Sequence, residues 1–468
     1  MQQTETDYLI VGAGASGMAF ADSLLTSTDT ELLLVDQRHA PGGHWLDAYP
    51  FVRLHQPSAY YGVNSLPLGA DRIDEQGINA GFYERASGAE LCSYYQQVLD
   101  SCFLPSGRLR FAGCHRYLGL EDGTHRLQSV LTGKQLAVRV RRKLIDATYT
   151  EAAIPATTPP PFEVDQSATV LTPSELVHCA NSGGGFTVLG AGKTAMDTCQ
   201  WLLDQGVPPD DICWVRPRDG WFVERTYTQP LTLAGHMMAF QAASIEAAAD
   251  ARSPLDYALR LEAAGMFQRL DQNTDPVVYR GATLARGELE ALRSIEQVIR
   301  GERVLGVMGS GLQLEYSRAR ANRDRVYINC TAAGLSGAPA RPIFERDRIT
   351  VQFSTIGVTP WSAAVLGQVE ALDLPLAEKN ALCPPLQRTG LLLGQLDILA
   401  RGMPAEMKRR GVEPLDRWMS ESRLNAGRAI PSHMDRPDVQ QAFQRVRQRY
   451  REAVENLHRL IAAPTGSG

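Results

Sequence analysis

At 468 residues the chain has room for about three domain-sized units. Its hydrophobic fraction of 44% and charged fraction of 21% are those of a globular protein with a sizeable core. A net charge of −5 argues against nucleic acid as the main partner, and no apolar run approaches the roughly 18 residues of a membrane span.

The first strand is expected almost at once, at Tyr8–Val11, which leaves no space for a signal peptide. A soluble, cytoplasmic protein with no membrane partner is the expectation. Gly12, Gly14 and Gly17 follow the strand with G-x-G-x-x-G spacing, then a helix over Met18–Leu25. A second apolar run, Leu32–Val35, ends on Asp36 and Gln37. Gly12 permits the tight turn out of the strand. Gly14 lets a pyrophosphate approach the backbone, and Gly17 lets the helix lie close to the sheet. Ala15 and Ser16 belong to the same cradle, where the helix N-terminus offers unpaired N–H groups to phosphate. Asp36 is placed to accept from ribose hydroxyls.

A Pro-Gly-Gly turn introduces Gly43, His44 and Trp45, and an aperiodic stretch rich in Tyr, Asn and Gly runs to about residue 85. Helix is expected over 89–101 and alternating strands to Thr148. Residues 152–161, rich in Ala, Thr and Pro, read as a linker. The opening pattern then repeats. Phe186–Leu189 is a strand; Gly190, Gly192, Lys193, Thr194 and Ala195 form a G-x-G-x-x-A turn; a helix follows to Leu203; Ile212–Val215 is the second strand. Here the strand ends on Arg216, with Arg218 two residues on. A guanidinium at that place suits a 2′-phosphate and favours NADPH over NADH, with Arg216 ahead of Arg218. Lys193 is a further candidate for the pyrophosphate.

Residues 231–300, rich in Ala and Leu, read as helical. Strands are expected at 304–308 and 326–331, and a hairpin over 343–353. Asp146-Ala147-Thr148 and Asn329-Cys330-Thr331 mark two crossovers between domains. Thr359 is expected to cap a helix running to Glu370, with Pro360 at its first position. In the last helix, Asp435 is the expected cap. A stripe of Val439, Phe443, Val446, Tyr450, Val454, Leu457 and Ile461 suits core or a homodimer contact. None of the eight cysteines forms a C-x-x-C pair, so reduced thiols are expected, with no metal site and no local disulfide. The fold class is α/β: two Rossmann-like dinucleotide-binding domains with a helical C-terminal extension.

The two dinucleotide units, the crossovers and the Gly42-Gly43-His44-Trp45 turn together resemble the flavin-containing monooxygenase family, which is related to the Baeyer–Villiger monooxygenases. The resemblance is clearest over residues 7–65 and 186–226 and extends in architecture to about 372. It implies FAD on the first unit and NADPH on the second. The implied layout is an FAD domain over 1–155 and 331–375, an NADPH domain over 156–330 with a helical insertion at 231–300, and a helical region over 376–468. Tyr49-Pro50 follows the glycine turn as in these relatives, and Asp197 matches the usual acid of the second unit. The helix from Thr359 would face the flavin ring.

The resemblance implies a monooxygenase in which NADPH reduces the flavin, and O₂ then forms a C4a-(hydro)peroxide that oxygenates a small organic substrate. Asn64 would steady the peroxide or the nicotinamide. Arg53 would stabilise negative charge, His55 would exchange a proton near neutral pH, and Arg225 would touch the nicotinamide end. Two departures stand out. The fingerprint before the second unit is replaced by Thr172–His178, and His55 occupies the position of a Baeyer–Villiger aspartate. They argue against ester-forming oxygenation of ketones and leave N- or S-oxygenation, or a distinct flavin-dependent oxidation, more open. Two other readings stay open: a flavoprotein reductase or dehydrogenase without oxygen transfer, and a non-catalytic flavin-binding protein.

Overall fold

The computed structural model describes residues 2–179, 183–321, 324–335 and 337–463. β1 (Gln2–Val11), α1 (Ala15–Ser27) and β2 (Leu32–Val35) form the first βαβ unit. The strands pair in parallel, with Tyr8 opposite Leu32 and Val11 opposite Val35. All of β2 is buried, which is why it reads as the unbroken run Leu-Leu-Leu-Val. α1 is buried from Ala15 to Leu25, so it is a core helix without a solvent face over that span.

Residues 36–87 are mostly irregular. α2 (Gly88–Val98) then opens with a capping box between Ser87 and Glu90. β3 (Leu109–Ala112), β4 (His115–Glu121), β5 (Thr124–Ser129) and β6 (Gln135–Asp146) complete a sheet ordered β3-β2-β1-β6-β5-β4. The first four strands in that order are parallel, and the last two close it as an antiparallel meander.

The second unit uses β7 (Thr169–Leu171), β8 (Phe186–Leu189), α3 (Lys193–Asp204) and β9 (Ile212–Arg216). After β10 (Gly220–Glu224) come α4 (Ala234–Asp250), α5 (Pro254–Ala263), β11 (Val278–Leu284), α6 (Arg286–Arg293), β12 (Val298–Arg300) and β13 (Val326–Asn329). The parallel order is β12-β9-β8-β13-β7. The stretch 231–300 is thus not wholly helical: β11 lies parallel to β10, and β12 joins the main sheet. Alanine- and leucine-rich flanks mask the strand pattern of Val278–Leu284.

The chain returns to the first sheet at β14 (Arg348–Thr350), parallel to β6. α7 (Thr359–Ala371) then packs on α1; a Cβ on Gly367 would lie 2.8 Å from the Phe20 carbonyl oxygen, so the two backbones nearly touch. Its cap is Val358, not Thr359, and no side chain bonds the first turn. α8 (Leu392–Arg410), α9 (Glu413–Glu421) and α10 (Pro437–Ala462) follow. Arg436, not Asp435, precedes the first turn of α10.

The buried stripe of α10 is rotated from the expected one. Val439, Ala442, Ala453, Asn456, Leu457 and Leu460 are buried, while Phe443 is 40% exposed. That face packs on α4 and α8, and Asn456 donates to the carbonyls of Ala248 and Ala251 at 2.8 Å each. The stripe is core within one chain. Residues 464–468, part of the expected helical region, lie outside the described residues. Among the described residues, no helix is long and apolar enough to cross a membrane.

Candidate functional site

Gly12 has φ +104°, a conformation that side chains resist. A Cβ on Gly17 would overlap the Gly12 carbonyl oxygen, so helix and strand can meet only without one. The Gly42-Gly43 turn folds against this cradle. Gly42 N donates to Ala13 O at 2.9 Å, and a Cβ on Gly43 would lie 2.8 Å from Gly14 Cα. Gly14 caps α1 with no side-chain bond, which leaves first-turn N–H groups unfilled by the helix.

Gly14, Ala15 and Ser16 line a cavity of about 310 Å³, together with Asp36, Gln37, Gly43 and His44. Tyr117, Thr148 and Thr359 contribute other parts of the wall. Asp36 is buried: Oδ2 accepts from Ala13 N and Oδ1 from Arg38 N, each at 2.8 Å. The carboxylate thereby ties the turn to the second strand, and its remaining lone pairs can accept hydroxyl protons.

Trp45 is not on this wall. Its Nε1 donates to the Tyr61 hydroxyl at 3.3 Å, with the rings edge-on, and Tyr61 does line the cavity. Burial pushes the Tyr61 phenol up to about 12. Burial, then the charge of Arg38, holds His44 down to about 4. Both are neutral at pH 7.

The second glycine turn has different surroundings. Gly190 has φ +130°, and a Cβ there would lie 2.5 Å from Cys330 O. Gly192 caps α3 and has open space on its Cβ side; Ala195 is buried. Lys193 forms an ion pair with Asp197 one turn along. The Tyr49 hydroxyl donates to the same carboxylate at 2.8 Å, near Thr194, and Phe51 stacks on Trp201 at 5.0 Å. The loop that leaves the first unit therefore packs on α3. Arg216 is turned inward, over the Trp214 ring at 4.9 Å and 3.5 Å from Asp219; Arg218 is exposed.

The two crossovers repeat one device. Thr148 donates from N and Oγ1 to Asp146 Oδ1, and Thr331 does the same to Asn329 Oδ1. Asx turns of this kind start a loop at the strand end.

The three residues expected at the chemistry are not brought together. Asn64 N donates to Asp22 Oδ2 at 2.8 Å, and its Oδ1 accepts from Ser422 Oγ at 2.7 Å, beside α1 and away from the cavity lining. Arg53 is largely exposed, donating to Arg85 O at 3.0 Å with Glu90 at 3.9 Å. His55 lies between the units, its carbonyl accepting from Thr283 Oγ1 at 2.8 Å. Burial, then Lys193, Arg85 and Arg225, hold its imidazole well below the usual range. That direction favours the neutral imidazole.

The chain is 37% identical over 466 residues to Uncharacterized protein Rv2000 of Mycobacterium tuberculosis, and equally to Uncharacterized protein Mb2023 of Mycobacterium bovis. These matches span 99% of this chain and 86% of each relative. The chain belongs to their family. In this family member, the profile of the NAD(P)-binding Rossmann-like domain matches residues 10–65, the first glycine turn and the loop beyond Asp36. The polycyclic ketone monooxygenase of Thermothelomyces thermophila shares the fold, with a TM-score of 0.54 over 97% of this chain and 90% of that one, at 12% identity. The chain thus shares its two-unit α/β fold with that enzyme.

Two sets of contacts at the family member's site leave no mark in the sequence pattern, although Arg225 itself is a candidate there. Arg423, in the tail, donates to Tyr61 O at 2.7 Å, Val63 O at 2.8 Å and Ala59 O at 3.1 Å, and so fixes the loop that carries Tyr61. Arg225 is fully buried and paired with Glu288 from α6, with Arg85 at 3.9 Å from the same carboxylate. Neither contact has a sequence spacing that announces it.

Proposed function

We propose that the chain is an FAD- and NADPH-dependent oxidoreductase: a monooxygenase that uses O₂ on a small organic substrate. The observation that carries this reading is the duplicated glycine turn, one opening on a cavity and the other facing the loop from the first, in a fold shared with a ketone monooxygenase. The first cradle fits an adenosine diphosphate group. It offers unfilled N–H groups at Ala15 and Ser16, a backbone without Cβ at Gly14, and Asp36 as acceptor. When bound, a flavin supplies two-electron exchange with reduced nicotinamide and the activation of O₂.

The chain's own residues bind and orient. The α1 N-terminus would hold the pyrophosphate and Asp36 the ribose. Thr359, in the first turn of α7, borders the same cavity. Tyr61, protonated and braced by Trp45, is a hydrogen-bond donor at the wall. Arg218 receives the 2′-phosphate, with Arg216 beneath it as part of the protein. The loop tied down by Tyr49 and Phe51 excludes water from the cleft.

The test is oxygen consumption by the flavin-loaded enzyme with NADPH across a panel of amines, sulfides and ketones, with product analysis. Oxygenated product is expected. Good turnover of an artificial electron acceptor with no oxygenated product would sink the monooxygenase reading. It would favour the reductase, which has one observation in its support: Asn64 is bonded to Asp22 and Ser422.

A further inference from the structure

Between the two units lies a cluster of charge that dinucleotide binding does not require. Arg225 from the second unit is completely buried and paired with Glu288. Arg85, from the first, is 7% exposed and stands 3.9 Å from the same glutamate, too far for a hydrogen bond. Its Nη1 donates to Leu54 O at 3.2 Å, and Arg225 Nη1 reaches Asn79 Oδ1 at 3.5 Å. The Nε of each arginine is buried and finds no acceptor among the described residues. Lys193 is close by, already shared with Asp197. His55, partly accessible at the same place, is neutral.

The cluster therefore holds three cations against two carboxylates, with two guanidinium donors unused. Burying an uncompensated charge is costly, and so is leaving a buried donor without a partner. Burial, then the charge of Arg225, lowers Arg85 to about 10, so it is still cationic at neutral pH. We propose that this cluster binds the carboxylate of a small organic acid, held by Arg85 beside His55 with the charge of Arg225 behind it, and that this acid is the enzyme's substrate. One negative charge neutralises the cluster; a phosphate dianion would overshoot it. A guanidinium suits the planar two-oxygen geometry of a carboxylate. The identification of the ligand as substrate rests on the oxidoreductase reading above, whereas the carboxylate site stands on the cluster alone.

The test is calorimetric titration of the flavin-loaded protein, without NADPH, with benzoate, phenylacetate and hexanoate against their amides. The carboxylates are expected to bind and the amides not. Arg85→Gln is expected to weaken carboxylate binding roughly tenfold or more, as loss of a charge-assisted bond does. Glu288→Gln, which keeps the shape of the α6 cap and removes a competing charge, is expected to tighten it. A variant that merely fails to fold cannot produce both signs. Amides binding as well as acids, no acid binding at all, or indifference to both variants would overturn the proposal. So would an Arg85 dependence confined to NADP⁺ and inorganic phosphate, which would assign the charge to the nucleotide. Oxygen-transfer assays are separate: carboxylate binding with no oxygenated product would refute the monooxygenase reading and leave the site standing.

Discussion

The two glycine turns have nearly the same sequence and quite different surroundings. At the first, α1 is buried from Ala15 to Leu25, its N-terminus borders an open cavity, and a second glycine pair at 42–43 presses against Gly14. At the second, α3 is roofed by Tyr49 and Phe51, and Lys193 is turned to Asp197. A glycine pattern thus encodes a turn and a helix start. Whether that start stands open is decided by loops from elsewhere in the chain. Under the proposed reading, the first seat would hold its ligand throughout turnover, and the second would be an interface that a nucleotide shares with the loop of residues 45–60.

The strongest way to break this contrast is to add one methyl group to each turn. Gly17→Ala forces a Cβ into the Gly12 carbonyl and is expected to cost about 3 kcal/mol or more, with loss of flavin, in thermal denaturation and absorbance measurements. Gly192→Ala meets open space, and its melting midpoint is expected to stay near that of the parent. Equal losses would show that the two turns are packed alike.

The arginines sharpen the second side. Arg218→Ala is expected to lower the NADPH-over-NADH preference in kcat/KM roughly tenfold while leaving stability intact. Arg216→Ala is expected instead to lower the melting temperature, because its guanidinium is packed on Trp214 and beside Asp219. The reverse pattern would return the 2′-phosphate to Arg216.

The smallest effect belongs to His44 on the first side. Its folded value, about 4, lies below the ordinary 6.5, so the unfolded chain binds the extra proton first as pH falls. Stability is therefore lost between about pH 6.5 and 4. His44→Gln is expected to flatten the pH dependence of unfolding free energy in that window; an unchanged slope would mean the imidazole is not held neutral.

Both βαβ units are legible in the chain because their physics is local. An apolar run, glycines at fixed spacing and a helix start all fall within a few residues. The helix caps at 359 and 435 are each misread by one residue, since a proline in the first turn fits two adjacent starts. β11 escapes notice because its flanks carry helix-rich composition. The loop from Trp45 to Asn64 has no period at all, and its contacts come from far away. Tyr49 finds Asp197, His55 finds Thr283, and Asn64 finds Ser422. Arg85 and Glu288 meet from separate units, so no spacing connects them.

Arg423 carries a consequence in time. It bonds Tyr61 O across 362 residues of chain. At about 5–20 residues per second, synthesis separates the two by roughly 20 to 70 s. During that interval β1, α1 and β2 have emerged, while the segment holding Tyr61 lacks its brace and β6 lacks β14 beside it. The nascent first unit can present its glycine turn, but its wall is finished only when the tail arrives. Flavin capture by ribosome-bound chains should accordingly be weak until residue 423 has cleared the exit tunnel, so the tail acts as a checkpoint on maturation.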